Sequence, residues 1–147
     1  MQANPQHARE NQKTPAKRAI QMYSEKRRRW RPLGATFDTG TPENWISRDI
    51  VARLKYPVEN VPPSRYYIFT REILESSKVI NQVRWCIDNG EGPSTRSRYT
   101  NSRVAPDDAP FVVLFGRDLI FSEDIFSFNE AALILTKLDE TAGWWSL

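Results

Sequence analysis

The chain has 147 residues, of which 39% are hydrophobic and 27% charged, so its length and composition fit one globular domain with tails. No apolar run approaches the roughly 18 residues of a membrane span, and the polar N-terminus lacks the apolar core of a signal peptide. We therefore expect an intracellular protein, cytoplasmic or nuclear, without membrane contact. Cys86 is the only cysteine and His7 the only histidine, which excludes an intrachain disulfide and argues against His-based triads and metal sites. We predict no metal and no cofactor.

Positive charge is concentrated at the start of the chain. Residues 1–32 carry nine Lys or Arg and two Glu, for a net charge of +7, whereas the remainder has a net charge of −4. This composition predicts a disordered basic tail over residues 1–30, a folded domain over 31–137 and a C-terminal tail over 138–147. The basic tail ends in a run that could bind nucleic acid, act as a nuclear-import signal or be a solvated linker: Lys26, Arg27, Arg28 and Arg29.

The folded part is predicted to consist of short strands and two short helices. Apolar residues recur at helical spacing after Ser47, which can cap a helix, and at period two before the turn signal Asp88–Gly92. The predicted elements are, in chain order, strand Leu33–Phe37, helix Ser47–Tyr56, loop Val58–Pro63, strands Tyr66–Leu74 and Val79–Ile87, strand Arg96–Val104, strand Phe111–Phe115, helix Arg117–Phe121 and strand Ala131–Thr136.

Asp38 is the residue most suited to chemistry. Two carboxyls held close together cannot both ionise, so one can take a proton from water while the other hydrogen-bonds a carbonyl. Leu33, Ala35 and Phe37 provide apolar surroundings for such a pair, and Gly40 lets backbone N–H groups approach the carboxylate. An Asp-(Ser/Thr)-Gly triplet occurs by chance in roughly one chain of this length in fifteen, so it could also be a simple turn in an unrelated β-protein.

A second motif lies far downstream of Asp38. The segment Ala109 to Ile120 reads APFVVLFGRDLI, an apolar strand ended by glycine and followed by Arg-Asp. Together with ATFDTGTPENWIS, it resembles the retropepsin-like aspartic proteases, a family that includes retroviral and retrotransposon enzymes. The helix after the triplet is similar to that of the non-viral branch. The resemblance implies a small closed acid-protease-like β-barrel with one or two short helices.

The resemblance also implies roles for individual residues. Asp38 would be the catalytic aspartate, with Thr39 joining a hydrogen-bonded grip between two halves of the site, and Gly40 and Thr41 supporting the loop. Arg117 would pair with an acidic residue after the turn, for which Glu43 is the candidate. The supporting strand and its Gly-Arg-Asp motif would be Leu114, Phe115, Gly116, Arg117 and Asp118.

A chain with one such triplet would hold half of an active site. We therefore expect an aspartic endopeptidase that acts on peptide or polyprotein substrates as a homodimer, with Ala131–Thr136 as a possible interface strand. The family covers its cleft with a hairpin flap whose tip is rich in glycine. The corresponding region here contains no glycine, and its turn is predicted at Ser76 and Ser77. The alternative is therefore a weakly active or inactive module for dimerisation or peptide binding, as part of a larger polyprotein with a basic tail that binds nucleic acid.

Overall fold

The computed structural model describes residues 16–94 and 96–122 of the chain. No helix in these ranges is long and apolar enough to cross a membrane. The elements are β1 (Ala16–Ser24), β2 (Arg29–Asp38), β3 (Trp45–Ser47), α1 (Arg48–Leu54), β4 (Glu59–Tyr67), β5 (Ile73–Ile87), β6 (Arg98–Ala105), β7 (Val113–Gly116) and α2 (Arg117–Ser122).

Six of the strands close a barrel in the order β1-β2-β7-β3-β6-β5, because β5 pairs back with β1. Strand β4 lies outside this ring and pairs with the first half of the long strand β5. Strand β7 runs parallel to β2, and the register aligns Asp38 with Gly116. The two distant sequence motifs therefore meet at one end of the barrel. This architecture confirms the predicted small, closed, all-β acid-protease-like barrel with short helices.

The prediction of a disordered tail up to residue 30 is wrong for its second half. Strand β1 pairs with β2 over its whole length, from Ala16 opposite Phe37 to Ser24 opposite Arg29. Its residues Ile20 and Met22 are 0% and 2% exposed in the barrel core. Residues 1–15, the predicted strand Ala131–Thr136 and the tail 138–147 lie outside the described residues.

Two further predictions about the elements are wrong. The predicted loop Val58–Pro63 belongs mostly to β4, an edge strand whose pairing with β5 shifts register between Asn60 and Ser64. Proline is tolerated there because an edge strand has one side without ladder hydrogen bonds. The predicted strand Tyr66–Leu74 contains the turn between β4 and β5. Ser47 precedes α1 as predicted, but its side chain makes no capping hydrogen bond.

Strand β7 lies between two hydrophobic clusters, which fixes its position. Phe115 faces the barrel core, where its ring stacks on Trp85 with centroids 4.3 Å apart and packs on Phe37 at 5.3 Å. Leu114 faces the opposite way, into a second cluster beneath the β4–β5 hairpin that we call the flap-side cluster: Trp45, Ile68, Leu74, Ala105, Phe111 and Leu114. Packing on both faces makes β7 a rigid support for the loop beside it.

Candidate active site

Asp38 is the last residue of β2 and is only 2% exposed. The backbone N–H of Gly40 donates to its Oδ1 at 2.9 Å, and the Thr41 hydroxyl lies 2.8 Å from its Oδ2. A third donor is the backbone N–H of Phe69, from the turn of the β4–β5 hairpin. The carboxyl group is thus buried but surrounded by hydrogen-bond donors, as a buried ionisable group requires.

Burial raises the pKa of Asp38 above its ordinary value, because a charged carboxylate is poorly solvated in this position. The hydrogen bonds from Thr41, Gly40 and Phe69 oppose this effect and lower the pKa, but burial is the larger influence. None of these influences is a second carboxylate. Within the described residues, the proton affinity of Asp38 is therefore set by its own loop and by the hairpin above it.

The Thr41 hydroxyl stands between the carboxylate and the hairpin. Its oxygen is 2.8 Å from Asp38 Oδ2 and 3.1 Å from the carbonyl oxygen of Tyr67. A hydroxyl has one hydrogen, so it can donate fully to only one of these acceptors. When Asp38 is ionised, Thr41 donates to it. When Asp38 is protonated on Oδ2, the acid can donate to Thr41, which then donates to Tyr67.

The β4–β5 hairpin covers Asp38, in the place where the resemblance implies a flap. Its turn is closed by Ile68 and Glu72, and Arg71 takes the left-handed conformation, at φ 67°, that glycine would adopt without strain. Ile68 and Leu74 anchor the turn in the flap-side cluster. A hairpin without glycine is therefore present, and it is packed down on the site.

The prediction that Ser76 and Ser77 form the flap turn is wrong. Both lie within β5, and Ser76 pairs with Ser64 across the hairpin. The Ser76 hydroxyl donates to the carbonyl of Lys78 at 3.0 Å. The turn lies about six residues before the predicted one. The reason is that β4 begins at Glu59, whereas the prediction placed the strand after Pro62 and Pro63.

Thr39 is completely buried, and its hydroxyl finds no hydrogen-bond partner among residues 16–94 and 96–122. A buried hydroxyl without a partner costs about 1–3 kcal/mol, so such groups are rare in a complete site. Thr39 is also the residue that the resemblance assigns to contacts between two halves of an active site.

The Gly-Arg-Asp motif supports the loop through its backbone. A Cβ atom on Gly116 would lie 2.5 Å from the carbonyl oxygen of Thr41 and even closer to that of Glu43, so only glycine fits there. The N–H of Arg117 donates to the carbonyl of Thr41 at 2.7 Å, and the N–H of Asp118 donates to that of Pro42 at 3.3 Å. These N–H groups at the start of α2 hold the loop that carries Asp38.

The predicted ion pair between Arg117 and Glu43 is not formed. Glu43 accepts a hydrogen bond from the Nε of Arg103 on β6, whose side chain is 14% exposed. The guanidinium of Arg117 lies 4.0 Å from the carboxylate of its neighbour Asp118. Strand β6 thus supplies the positive charge that the resemblance assigned to the segment after β7.

Two contributions to the site were not identified as such in the sequence. The side chain of Asn44 accepts the N–H of Gly116 at 2.9 Å and donates to the carbonyl of Asn101 at 3.1 Å, which joins β7 to β6. In the sequence, Asn44 is marked only by its place in the segment ATFDTGTPENWIS, which carries the resemblance. The contact of Phe69 with Asp38 had no sequence signal, because it is made by a backbone N–H.

The described residues contain no group of three or more His, Cys, Asp or Glu side chains that could hold a metal ion. Cys86 is buried and accepts the N–H of Ser94 at 3.2 Å. The described side chain at this end of the barrel that is suited to proton transfer is the carboxyl group of Asp38, whose pKa is raised by burial.

Comparison with a solved structure supports the barrel fold. Among solved structures, the chain is similar to the EIAV protease complexed with the inhibitor HBY-793, with a TM-score of 0.52 and 18% identity over 77% of this chain and 91% of that one. It is also similar to the retroviral protease-like domain of Ddi1 from Leishmania major, with a TM-score of 0.47 and 14% identity over 73% of this chain and 75% of that one. A search of curated proteins found no significant match.

A family model gives the clearest assignment. Residues 13–89, slightly more than half of the chain, match the model described as Ty3 transposon peptidase. The matched region contains the Asp38 loop, α1 and the β4–β5 hairpin, and the barrel places β7 beside them. The chain belongs to the Ty3 transposon peptidase family, within the retropepsin-like aspartic proteases.

Proposed function

We propose that the protein is an aspartic endopeptidase that acts as a homodimer, with one Asp38 from each chain. The observation that carries this proposal is the state of Asp38, a buried carboxyl group that is held by three donors and has a raised pKa. A single carboxyl group cannot act as both base and acid in the same step. Since no second carboxylate among residues 16–94 and 96–122 contributes to the pKa of Asp38, a second copy of the chain is the natural source of one.

Thr39 supports the same arrangement. Its hydroxyl is buried beside the loop without a partner in the described chain, which is costly unless another chain supplies an acceptor or donor. Thr39 follows Asp38 directly, so a two-fold axis that brings the two Asp38 residues together also brings the two Thr39 residues close. Mutual hydrogen bonds across that axis would remove the cost.

The proposed reaction uses the shared proton of the carboxyl pair. The ionised Asp38 takes a proton from a water molecule as its oxygen attacks the scissile carbonyl carbon, and the protonated Asp38 of the other chain donates to the carbonyl oxygen. The tetrahedral intermediate then collapses as the C–N bond breaks. The Asp38 that took the proton from water gives it to the leaving nitrogen, and the Asp38 of the other chain takes back a proton from the hydroxyl that it had protonated, which restores both carboxyl groups. No covalent bond forms between enzyme and substrate.

Substrate entry requires the hairpin turn to lift. In the present conformation, the N–H of Phe69 and the carbonyl of Tyr67 bind Asp38 and Thr41, and Asp38 is nearly inaccessible. Once the turn lifts, these same backbone groups are free to pair with an extended peptide in β fashion. The peptide would replace contacts that the chain now makes with itself.

Asp38→Asn tests the catalytic assignment, with Asp107→Asn as the matched control because Asp107 lies on the surface and its side chain is 75% exposed. Fluorogenic peptides from a mixed library are assayed at mildly acidic pH with and without a pepstatin-type inhibitor. We expect Asp38→Asn to abolish cleavage and Asp107→Asn to retain it. Equal cleavage by both variants would refute the role of Asp38.

Mixing experiments test the dimer. If subunits exchange freely and both carboxyls are required, an equal mixture of wild type and Asp38→Asn contains about one quarter wild-type dimers. The activity then falls to about a quarter of that of undiluted wild type at the same total concentration, whereas independent monomers would retain half. Sedimentation of the same samples reports the mass of the active species.

The packed hairpin also favours a second candidate, a peptide-binding or dimerisation module with little or no catalysis. Its supporting observation is the closure of Asp38 by Phe69 and the anchoring of the turn by Ile68 and Leu74. In that case the purified dimer would cleave no library peptide at any pH, although it would still bind some of them. Cleavage that depends on Asp38 excludes this candidate.

A further inference from the structure

Four side chains form a row across the outer surface of the barrel, on four neighbouring strands. Tyr23 of β1 pairs with Trp30 of β2, and Arg84 of β5 pairs with Tyr99 of β6. The two pairs are adjacent because β1 and β5 align Met22 with Trp85, one residue away from Tyr23 and Arg84. Met22 and Trp85 are buried, so their neighbours in the strands point outward. We call these four residues the aromatic–arginine row: Trp30, Tyr23, Arg84 and Tyr99.

Contacts within the row hold it in a defined geometry. The rings of Tyr23 and Trp30 meet edge to face, with centroids 5.3 Å apart and planes inclined by 62°. The guanidinium of Arg84 lies over both rings, 5.5 Å from the Tyr23 centroid and 5.1 Å from the Trp30 centroid. Its Nε donates to the hydroxyl of Ser97 at 3.0 Å. Tyr99, at the end of the row, is 54% exposed.

A strongly basic turn borders the row. The segment from Ser24 to Arg31 carries five Lys or Arg and one Glu, for a net charge of +4, although the chain from residue 33 onward is net negative. The turn is ordered, since the N–H of Arg28 donates to the carbonyl of Ser24 at 2.8 Å and the Nε of Arg27 donates to the carbonyl of Arg53 at 2.6 Å. Lys26, Arg27, Arg28 and Arg29 are all exposed.

This surface is separate from the candidate active site. Trp30 and Asp38 both belong to β2 but lie eight residues apart, which corresponds to about 26 Å along an extended strand. Neither the row nor the basic turn contributes to the barrel core or to the loop that carries Asp38. Concentrating like charges in one turn opposes folding, so the charge is better explained by an anionic partner.

We propose that the aromatic–arginine row and the basic turn together bind single-stranded nucleic acid. Aromatic rings and guanidinium planes on a sheet stack on unpaired bases, while neighbouring Lys and Arg side chains contact phosphates. The row crosses four strands, so it is about 14 Å long, enough for roughly two or three nucleotides. A duplex hides the faces of its bases and would gain only the contacts with the basic turn.

The test measures the binding of labelled oligonucleotides to the full chain by fluorescence anisotropy. Probes are a 15-nucleotide oligo-dT, the matching oligo-rU and a 15-base-pair duplex, at 50–200 mM salt. We expect the single strands to bind more tightly than the duplex. If four or five cations contact phosphates, the affinity should fall with salt with a log–log slope of about −3. Absence of binding at 50 mM salt would overturn the proposal.

Variants locate the binding surface. Tyr99→Ala should weaken single-strand binding at least about fivefold and leave the salt slope unchanged, because it removes stacking without removing charge. Its matched control is Tyr67→Ala, since Tyr67 is 66% exposed on the hairpin at another part of the molecule. The double variant Lys26→Glu/Arg29→Glu should weaken binding and reduce the slope, whereas Arg48→Glu on α1 should change both less.

The remaining outcomes also decide the matter. Melting temperatures of all variants show whether a loss of affinity reflects lost folding. Equal effects of Tyr99→Ala and Tyr67→Ala would overturn the stacking surface, as would duplex binding as tight as that of the single strand. Displacement of the oligonucleotide by poly-glutamate at equal charge concentration, together with insensitivity to Tyr99→Ala, would identify a general polyanion site and refute the proposal.

Discussion

Gly116→Ala tests whether the segment after β7 holds the Asp38 loop in place. The added Cβ would lie 2.5 Å from the carbonyl oxygen of Thr41 and 2.9 Å from the carbonyl carbon of Glu43. Carbon atoms in proteins essentially never approach oxygen closer than 3.0 Å in this way, so the loop would have to move by about 0.5 Å or more. Both obstacles are backbone atoms, and no side-chain rotation can relieve the overlap.

The size of the effect follows from the contacts that would be strained. The N–H of Arg117 donates to Thr41 at 2.7 Å, and the N–H of Gly116 donates to Asn44 at 2.9 Å. A buried hydrogen bond contributes about 0.5–1.5 kcal/mol, and overpacking costs typically 1–3 kcal/mol. We expect the free energy of unfolding to fall by about 2–4 kcal/mol. Because displacement of a catalytic group by about 1 Å can cost a hundredfold in rate, peptide cleavage should fall by one to two orders of magnitude.

Gly34→Ala is the matched control, because a Cβ at this position in β2 meets nothing within 4 Å. Alanine there should be neutral or stabilising by up to about 1 kcal/mol, since it reduces the backbone entropy of the unfolded chain. The measurements are urea unfolding followed by tryptophan fluorescence, and kcat/KM for a cleaved peptide. If Gly116→Ala unfolds within about 0.5 kcal/mol of Gly34→Ala and keeps its activity, the support assigned to this segment is wrong.

Three further substitutions probe the loop and the hairpin. Thr41→Val removes a donor to ionised Asp38 and therefore raises the pKa of Asp38 further, so the acid limb of the kcat/KM profile should move to higher pH. Glu43→Gln leaves the largely buried Arg103 without its charged partner and should lower the free energy of unfolding by about 1–3 kcal/mol in urea titrations. Arg71→Gly removes the strain of a left-handed non-glycine residue and should raise the free energy of unfolding by up to about 1 kcal/mol.

Each of these three substitutions has a control variant that separates the expected effect from a general effect of mutation. Thr41→Ser retains the hydroxyl and should keep the wild-type acid limb, and a shift to lower pH in Thr41→Val would contradict the assigned hydrogen bond. Asp107→Asn breaks an exposed ion pair with Arg48 and should cost less than about 0.5 kcal/mol. Arg65→Gly, placed within strand β4, should destabilise, so stabilisation by both glycines would exclude relief of strain at Arg71.

Local patterns were sufficient to predict the elements that carry the site. The strand before Asp38, the helix after Ser47, the apolar strand Phe111–Phe115 and the short helix after Gly116 each have a boundary marked by glycine, a cap residue or a change of periodicity. The turn Asp88–Gly92 is also a local signal, since the Asp88 carboxylate accepts the N–H groups of Gly90 and Gly92. In these segments sequence neighbours determine the structure.

The sequence prediction did not include strand β1, because the high positive charge of residues 1–32 was given more weight than the alternation of apolar and polar residues within the strand. Ile20 and Met22 point into the barrel, whereas Lys17, Ala19 and Tyr23 alternate with them on the outside. The composition of residues 1–32 suggested disorder, but burial depends on one face of a strand only. The alternation from Ala16 to Ser24 was the signal that could have identified it.

The pairing of side chains across the barrel could not be predicted from local patterns. Arg103 reaches Glu43 because β6 runs parallel to β3, and the register places Arg103 opposite Trp45. The resemblance instead implied Arg117 as the partner of Glu43, because Arg117 belongs to the Gly-Arg-Asp motif that follows β7. Similarly, the position of the hairpin turn depends on where β4 starts. Pro62 and Pro63 lie within β4, and because prolines are typical of loops they led to the prediction of a loop there.

The proposed dimer would give two features of the site a common explanation. Thr39 has a buried hydroxyl without a partner in the described residues, and Asp38 receives a hairpin N–H where a second carboxyl group would have to lie nearby. In a single chain, the unpaired Thr39 hydroxyl is unfavourable, and the Phe69 N–H serves only to bind the buried Asp38 carboxyl group. If two chains meet at this loop, the Thr39 hydroxyls gain partners and the Asp38 carboxyls share a proton, which requires the Phe69 contact to weaken. Dimer formation and opening of the hairpin would then be coupled, because both compete for the same buried carboxyl group.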